Sequence, residues 1–170
     1  MTNKLTILAL IFAALLAFAP PSWAAGNHPA QAGALMDARL TDIHGKVHTL
    51  SEWKGKVIML NFFATWCAPC QAEIRDLKKW HKAHKTEGLQ VIGVGLDDPH
   101  KLSNFANSLE IPYPVLTSGT AGSAIMAAWG NALGEVPYTV IIAPDGSIPY
   151  VQRGTFSEAA LNRFVVPLLK

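Results

Sequence analysis

The chain has 170 residues, a net charge of +2 at pH 7 from 14 basic and 12 acidic side chains, and two cysteines. Near-neutral charge without a basic run excludes an electrostatic nucleic-acid interface, and two cysteines exclude a disulfide-dense scaffold. The length suits one folded domain with a substantial core.

The N-terminus reads as a secretory signal. Lys4 supplies the positive region, Leu5 to Ala19 is apolar and uncharged, Pro20-Pro21 ends it, and Ser22-Trp23-Ala24 offers small residues where a signal peptidase looks. Residues 1–24 are therefore expected to be removed, with Ala25 as the mature start. An uncleaved anchor through residues 5–19 is the other reading, although that stretch falls short of the about 20 residues of a membrane span. Either way the folded part is exported, with a periplasm as the expected compartment. Residues 25–34 are small and polar and read as a flexible leader, which leaves 35–170 as the domain.

Residues 38–42 and 46–50 flank His44-Gly45 and predict a β-hairpin with a glycine turn. Ser51-Glu52-Trp53 opens a short helical turn that Gly55 ends. Val57 to Phe63 is a near-continuous run of strand formers, as in a strand buried on both faces. Gln71 to Glu87 holds good helix formers with no Gly or Pro, and Gly88 stops it. Leu89 to Leu96 predicts a second buried strand. Asp98 caps a helix to about Leu109, with Pro99 at its first position. Ile111 to Leu116 is extended, and Pro112 and Pro114 are expected to keep it out of a central ladder position. A short helix over 121–129 follows, then a strand from Tyr138 to Ala143, a tight turn at Asp145-Gly146 and a partner strand from Ile148 to Gln152. Ser157 caps a terminal helix to about Leu169, which Pro167 distorts near its end. This order predicts an α/β fold, with a mixed central sheet covered by helices on both faces.

Both cysteines lie in Trp66-Cys67-Ala68-Pro69-Cys70, where the strand gives way to the helix. A crosslink over so short a loop removes little chain entropy, so it stabilises the fold little and suits a bond that opens and closes. Residues i and i+3 on a first helical turn lie about 5–6 Å apart at Cα, within disulfide range. Pro69 is tolerated there because the first turn has no partner for its N–H. The free N–H groups and dipole of the helix start favour a thiolate at Cys67. The expected roles are Cys67 as the exposed attacking thiolate and Cys70 as the more buried resolving thiol. Two small buried residues, or half of a metal site, are the other readings of such a pair. His81 and His84 have the spacing of a shared metal, but no third ligand stands near them in sequence and none is expected.

Gly55-Lys56-Val57, the run from Asn61 through Cys70, Pro137-Tyr138-Thr139-Val140 and Pro144-Asp145-Gly146 together resemble the thioredoxin superfamily. More narrowly the chain is similar to its exported TlpA/ResA/DsbE-like thiol–disulfide oxidoreductases, from about residue 35 to the end. The N-terminal β-hairpin and an inserted αβ element around 99–109 fit as well. The resemblance implies a thioredoxin-like fold. It makes Val136-Pro137 the family's cis-proline, set against the cysteines so that the Val136 backbone is free to pair with an extended substrate. It puts Asn61 where cytosolic thioredoxins keep a buried acid, and gives that acid's work to Glu73, one turn after Cys70. A half-buried carboxyl there would have a raised pKa and move a proton to or from Cys70. Trp66 is expected beside the disulfide, shielding one side, or else in plain core. Arg75 replaces the proline common two residues after the helix glutamate, which leaves the kink of that helix and the reach of Glu73 open. Gly130 to Val136 is longer than the common Gly-x-x-Gly-x-Pro form and brings Glu135 near the substrate groove, where it favours basic partners, raises the thiol pKa or simply occupies a loop surface.

The implied activity is protein disulfide reduction by dithiol–disulfide exchange, with no organic cofactor and no metal. The implied partners are disulfide-containing exported proteins, such as apocytochrome c or metal-site assembly proteins, and a membrane thiol reductant of the DsbD/CcdA kind. A monomer is expected. Three rivals use similar residues. One is an oxidase or isomerase on the same scaffold. Another is a Cu(I) chaperone holding the metal on Cys67 and Cys70. The third is a thiol peroxidase, against which Ala64 stands where that chemistry wants Thr or Ser three residues before the cysteine.

Overall fold

The computed structural model describes residues 35–170, so the segments read as signal or anchor (1–24) and leader (25–34) lie outside the described residues. In chain order the elements are β1 (Arg39–Asp42), β2 (Val47–Thr49), a 3-10 turn (Leu50–Trp53), β3 (Val57–Phe63), α1 (Ala68–His84), β4 (Leu89–Gly95) and α2 (Pro99–Ser108). Then come β5 (Val115–Thr117), α3 (Gly122–Ala128), β6 (Tyr138–Ile142), β7 (Tyr150–Arg153) and a terminal helix that begins as α4 (Glu158–Ala160). Seven strands form one mixed sheet in the order β2-β1-β5-β4-β3-β6-β7. Among the described residues no helix is long and apolar enough to cross a membrane.

β3 lies inside the sheet, parallel to β4 and antiparallel to β6. Because side chains alternate along a strand, it feeds two cores. Val57, Met59 and Phe63 join the cluster with Ile74, Leu77 and Trp80 of α1, Leu102 of α2, and Phe156 and Leu161 near the C-terminus. Ile58, Leu60 and Phe62 join the opposite cluster with Leu40, Leu50, Met126 and Trp129. The same alternation sends Asn61 to the α1 face. On α1 the buried residues are Cys70, Glu73, Ile74, Leu77, Trp80 and His81, a single stripe at helical spacing. α1 runs unbroken past Arg75, and Gly88 ends the following 3-10 turn with a φ of 96°. A Cβ at Gly95 would meet Leu102 Cδ2 at 2.2 Å, so α2 packs directly on the β4 backbone.

Three expectations need correction. The segment with Pro112 and Pro114 does reach an inner position: β5 pairs with β4 on one side and β1 on the other. Pairing starts after the prolines, and Pro114, which cannot donate, still accepts the Gly93 N–H at 2.9 Å through its carbonyl. The last hairpin strand begins at Tyr150 rather than Ile148. Asp145 Oδ1 accepts the Ser147 N–H at 2.9 Å and so lengthens the turn, and Pro149 cannot donate to a ladder. The terminal helix is α-helical only over Glu158–Ala160, then becomes a π turn (Leu161–Val165) and a 3-10 turn (Val166–Leu168). Pro167 has no N–H to give the preceding turn and its ring crowds it, so the distortion extends further back than expected.

Candidate active site

Parallel β3 and β4 end at the same edge of the sheet where antiparallel β6 begins: Phe63 stands opposite Gly95, and Phe62 opposite Tyr138. Three connections therefore converge there, residues 64–67, 96–97 and 130–137. Cys67 is the N-cap of α1 and Cys70 lies in its first turn. They form a disulfide with Cα atoms 5.3 Å apart. The Cys70 N–H points at Cys67 Sγ from 3.3 Å, a donor that would stabilise a thiolate once the bond is reduced.

Cys70 is 0% exposed and Cys67 only 5%. The expected ordering is seen, but Cys67 is not openly exposed. Its Sγ lies 3.7 Å from the carbonyl oxygen of Val136, which covers it from the β6 side. The Val136–Pro137 peptide bond is cis, Val136 is half-buried and Pro137 is buried.

The approach to Cys67 is held from two sides. Thr65 donates its N–H (2.6 Å) and its hydroxyl (2.8 Å) to Asp97 Oδ2 at the end of β4. Its carbonyl accepts from Gln71 Nε2 at 2.7 Å. With Thr65 tied inward, Trp66 points outward and is 72% exposed. Trp66 is thus not a core residue.

Glu73 is 1% exposed. Its carboxylate accepts the Phe156 N–H on one oxygen and Asn61 Nδ2 at 2.9 Å on the other. Asn61 also donates to Thr139 Oγ1 at 3.0 Å, because Asn61 and Thr139 are directly paired across β3 and β6. Burial pushes the Glu73 carboxyl from an ordinary 4.5 up to about 7; the two hydrogen bonds pull it the other way, and the negative charge of Asp76 adds to the rise. The structure therefore brings Asn61 and Glu73 together one helical turn beyond Cys70.

Glu135 is half-exposed and paired with Arg153 at 2.9 Å. The two helix histidines serve separate partners. His81 packs edge-on against Tyr113, and burial, with the charges of Lys85 and Lys56, lowers its pKa. His84 Nδ1 lies 2.9 Å from Glu87 Oε2. Trp53 stacks on His48, while Trp80 meets Phe156 edge-on.

Sequence reasoning missed Thr139, the Phe156 N–H, the Asp97–Thr65–Gln71 tie, and the side chains of Asn131 and Arg153. Thr139 was within reach, since it sits two residues after Pro137 in an evident strand, but its partner depends on register. Phe156 is 83 residues from Glu73 and contributes only backbone, so no side-chain pattern marks it.

The AhpC/TSA family model matches residues 32–151. The chain is 30% identical over 129 residues to the thiol-disulfide oxidoreductase ResA of Geobacillus kaustophilus (strain HTA426), which covers 75% of this chain and 71% of that one. A thiol:disulfide interchange protein of the thioredoxin family from Chlorobium tepidum TLS is 28% identical, with a TM-score of 0.67 over 77% of this chain and 92% of that one. The structure of MTB dsbF in mixed oxidized and reduced forms has a TM-score of 0.69 at 24% identity, over 79% of this chain and 97% of that one, and so shares the fold.

Proposed function

The chain belongs to the AhpC/TSA family and, within the thioredoxin superfamily, to its TlpA/ResA/DsbE-like thiol–disulfide oxidoreductases, and from that premise we propose that it reduces disulfides in exported proteins through Cys67 and Cys70. The observation that carries this is the disulfide at the start of α1, with Cys67 Sγ facing the Val136 carbonyl and a buried carboxyl one turn beyond Cys70.

In the reduced protein the Cys67 thiolate, favoured by the Cys70 N–H and the helix start, attacks one sulfur of a substrate disulfide. A Cys67–substrate bond forms, and the other substrate sulfur leaves as a thiolate that takes a proton. Glu73 in its charged form accepts the proton of Cys70. The Cys70 thiolate then attacks Cys67 Sγ, which forms the Cys67–Cys70 bond and releases the first substrate sulfur. The substrate gains two electrons and two protons, and the protein loses them. A dithiol donor must restore the reduced pair. A membrane thiol reductant of the DsbD/CcdA kind fits an exported protein, and Val136-Pro137 with Trp66 would receive the substrate. Apocytochrome c and metal-site assembly proteins are the substrate classes of this reading, in the periplasm.

Two observations weigh against peroxide chemistry. The position three residues before Cys67 is the buried Ala64, with no hydroxyl, and the Thr65 hydroxyl is given to Asp97.

The direction of electron flow is tested by the reduction potential of the Cys67–Cys70 couple, measured by equilibration against dithiol buffers. A reductase is expected below about −180 mV. A value well above that would overturn the reductive reading in favour of an oxidase or isomerase.

A further inference from the structure

We propose that Arg153, at the end of the edge strand β7, is a positioning residue for the exchange: its guanidinium holds residues 130–135 so that the Val136 backbone keeps its place beside Cys67 for an extended disulfide substrate. This rests on the exchange reading above. It adds a residue outside the cysteine motif that decides how well peptide disulfides, as opposed to small ones, are used.

Residues 130–137 lie between α3 and β6, outside any helix or strand, so no ladder holds the cis bond from its N-terminal side. The end of β7 supplies the fixings instead. After the cis bond, the Gly154 N–H donates to the Pro137 carbonyl at 2.9 Å. Before it, Arg153, opposite Tyr138 in the ladder, donates to the Gly130 carbonyl at 3.0 Å, to Glu135 Oε2 at 2.9 Å and to Asn131 Oδ1 at 3.4 Å. The buried Asn131 side chain donates to the Glu135 carbonyl at 2.6 Å and accepts the Glu135 N–H at 3.1 Å, which closes the loop one residue short of Val136. The guanidinium also lies 5.4 Å from the centre of the Tyr138 ring, and the Tyr138 hydroxyl donates to the Trp129 carbonyl at 2.8 Å. One side chain thus touches both ends of the loop and the first residue of β6.

The fork of the guanidinium is what this arrangement needs. It reaches acceptors on three residues at once, which the point charge of a lysine does not. The charge itself matters less, because the pair with Glu135 is half-exposed on both sides and so contributes little. Gly130 and Gly134, at φ of 85° and 69°, give the loop a wide conformational range when nothing braces it. Among the described residues the Val136 N–H has no acceptor, and the Val136 carbonyl oxygen lies 3.7 Å from Cys67 Sγ. The pairing groups of Val136 are therefore free beside the reacting bond. Ordering the backbone of one residue costs about a factor of ten in an equilibrium constant, and the brace removes that cost before an extended substrate arrives. A small disulfide without a peptide backbone does not use the Val136 groups and gains nothing from their order.

The test uses the reduced full chain and two substrates, a disulfide-linked pair of short peptides and a small aromatic disulfide. The readout is the ratio of their second-order rate constants, peptide over aromatic, in which the folded fraction of a variant cancels. Arg153→Met, which keeps an unbranched side chain without the guanidinium, should lower this ratio about tenfold or more. Arg153→Lys, which keeps the charge but not the fork, should lower it as well. Backbone hydrogen exchange over residues 130–136 should quicken in both variants by more than it does in β3 and α1. A ratio unmoved by Arg153→Met makes the arginine merely structural and overturns the proposal. So does a ratio fully restored by Arg153→Lys, or a lowered ratio without faster exchange over residues 130–136. A wild type inert towards both disulfides would instead overturn the exchange reading itself.

Discussion

Replacing Cys67 with serine should abolish disulfide reduction, with a loss of about a thousandfold or more in the rate of the first exchange step. The nucleophile in this chemistry is a thiolate. A serine hydroxyl at the same helix start stays protonated near neutrality, whatever the Cys70 N–H offers it. The fold should be nearly unaffected, because a crosslink over two intervening residues constrains the unfolded chain very little. Stopped-flow reduction of a small aromatic disulfide, alongside urea unfolding of the same sample, checks both halves. A Cys67→Ser protein that still reduces the disulfide would remove Cys67 from the chemistry. One that is inactive because it is unfolded would show it in the urea curve.

The second large effect belongs to Glu73. In the proposed role of base it works only when charged, and burial holds its pKa at about 7. The resolving step should therefore speed up as pH rises through about 7 in the wild type. Glu73→Gln keeps the shape but cannot take a proton. The Asn61 amide can reverse, accepting from the new amide and from Thr139, while the Phe156 N–H keeps a carbonyl acceptor. The expected cost is about a hundredfold in the resolution rate at pH 8, with the step near pH 7 gone. Decay of a preformed Cys67 mixed disulfide between pH 5 and 9 measures it. Unchanged decay would leave Glu73 as a structural residue only.

The same substitution has a signature in stability. The unfolded carboxyl titrates near 4.5 and the folded one near 7. Between those values the folded protein holds a proton that unfolding releases, so raising the pH favours the unfolded chain. The stabilising contribution is complete below about 4.5 and is lost as pH rises through about 7, a difference of about 3 kcal/mol. In Glu73→Gln this slope should disappear.

Much of this site is visible in the chain because its parts are local. The strand Val57–Phe63 is apolar on both faces and bounded by Lys56 and the motif, so its limits follow from composition alone. The helix after it is marked by Pro69 near its start and Gly88 beyond its end. What depends on distant segments is not visible in the same way. β5 shows that a proline forbids donation at its own position but does not disqualify the strand that follows. The sequence leaves Trp66 between a place beside the disulfide and plain core, and its exposure appears only once Asp97, 32 residues downstream of Thr65, ties the loop. The resemblance gives the work of the acid missing at Asn61 to Glu73, but that Asn61 itself donates to Glu73 follows only from the β3–β6 register and the α1 face. The sequence leaves Glu135 between favouring basic partners, raising the thiol pKa and a plain loop surface, and β7 brings Arg153 to it.

The central claim, that Cys67 joins covalently to a substrate sulfur and Cys70 releases it, is tested most directly with Cys70→Ser. The chain has two cysteines, so this variant leaves one. Mixed with a disulfide peptide and analysed by intact mass and peptide mapping without reductant, it should accumulate a stable one-to-one adduct on Cys67. Wild type should show only a transient one, and Cys67→Ser/Cys70→Ser none. If Cys70→Ser forms no adduct while the wild type still reduces the peptide, the two-step exchange through Cys67 is contradicted.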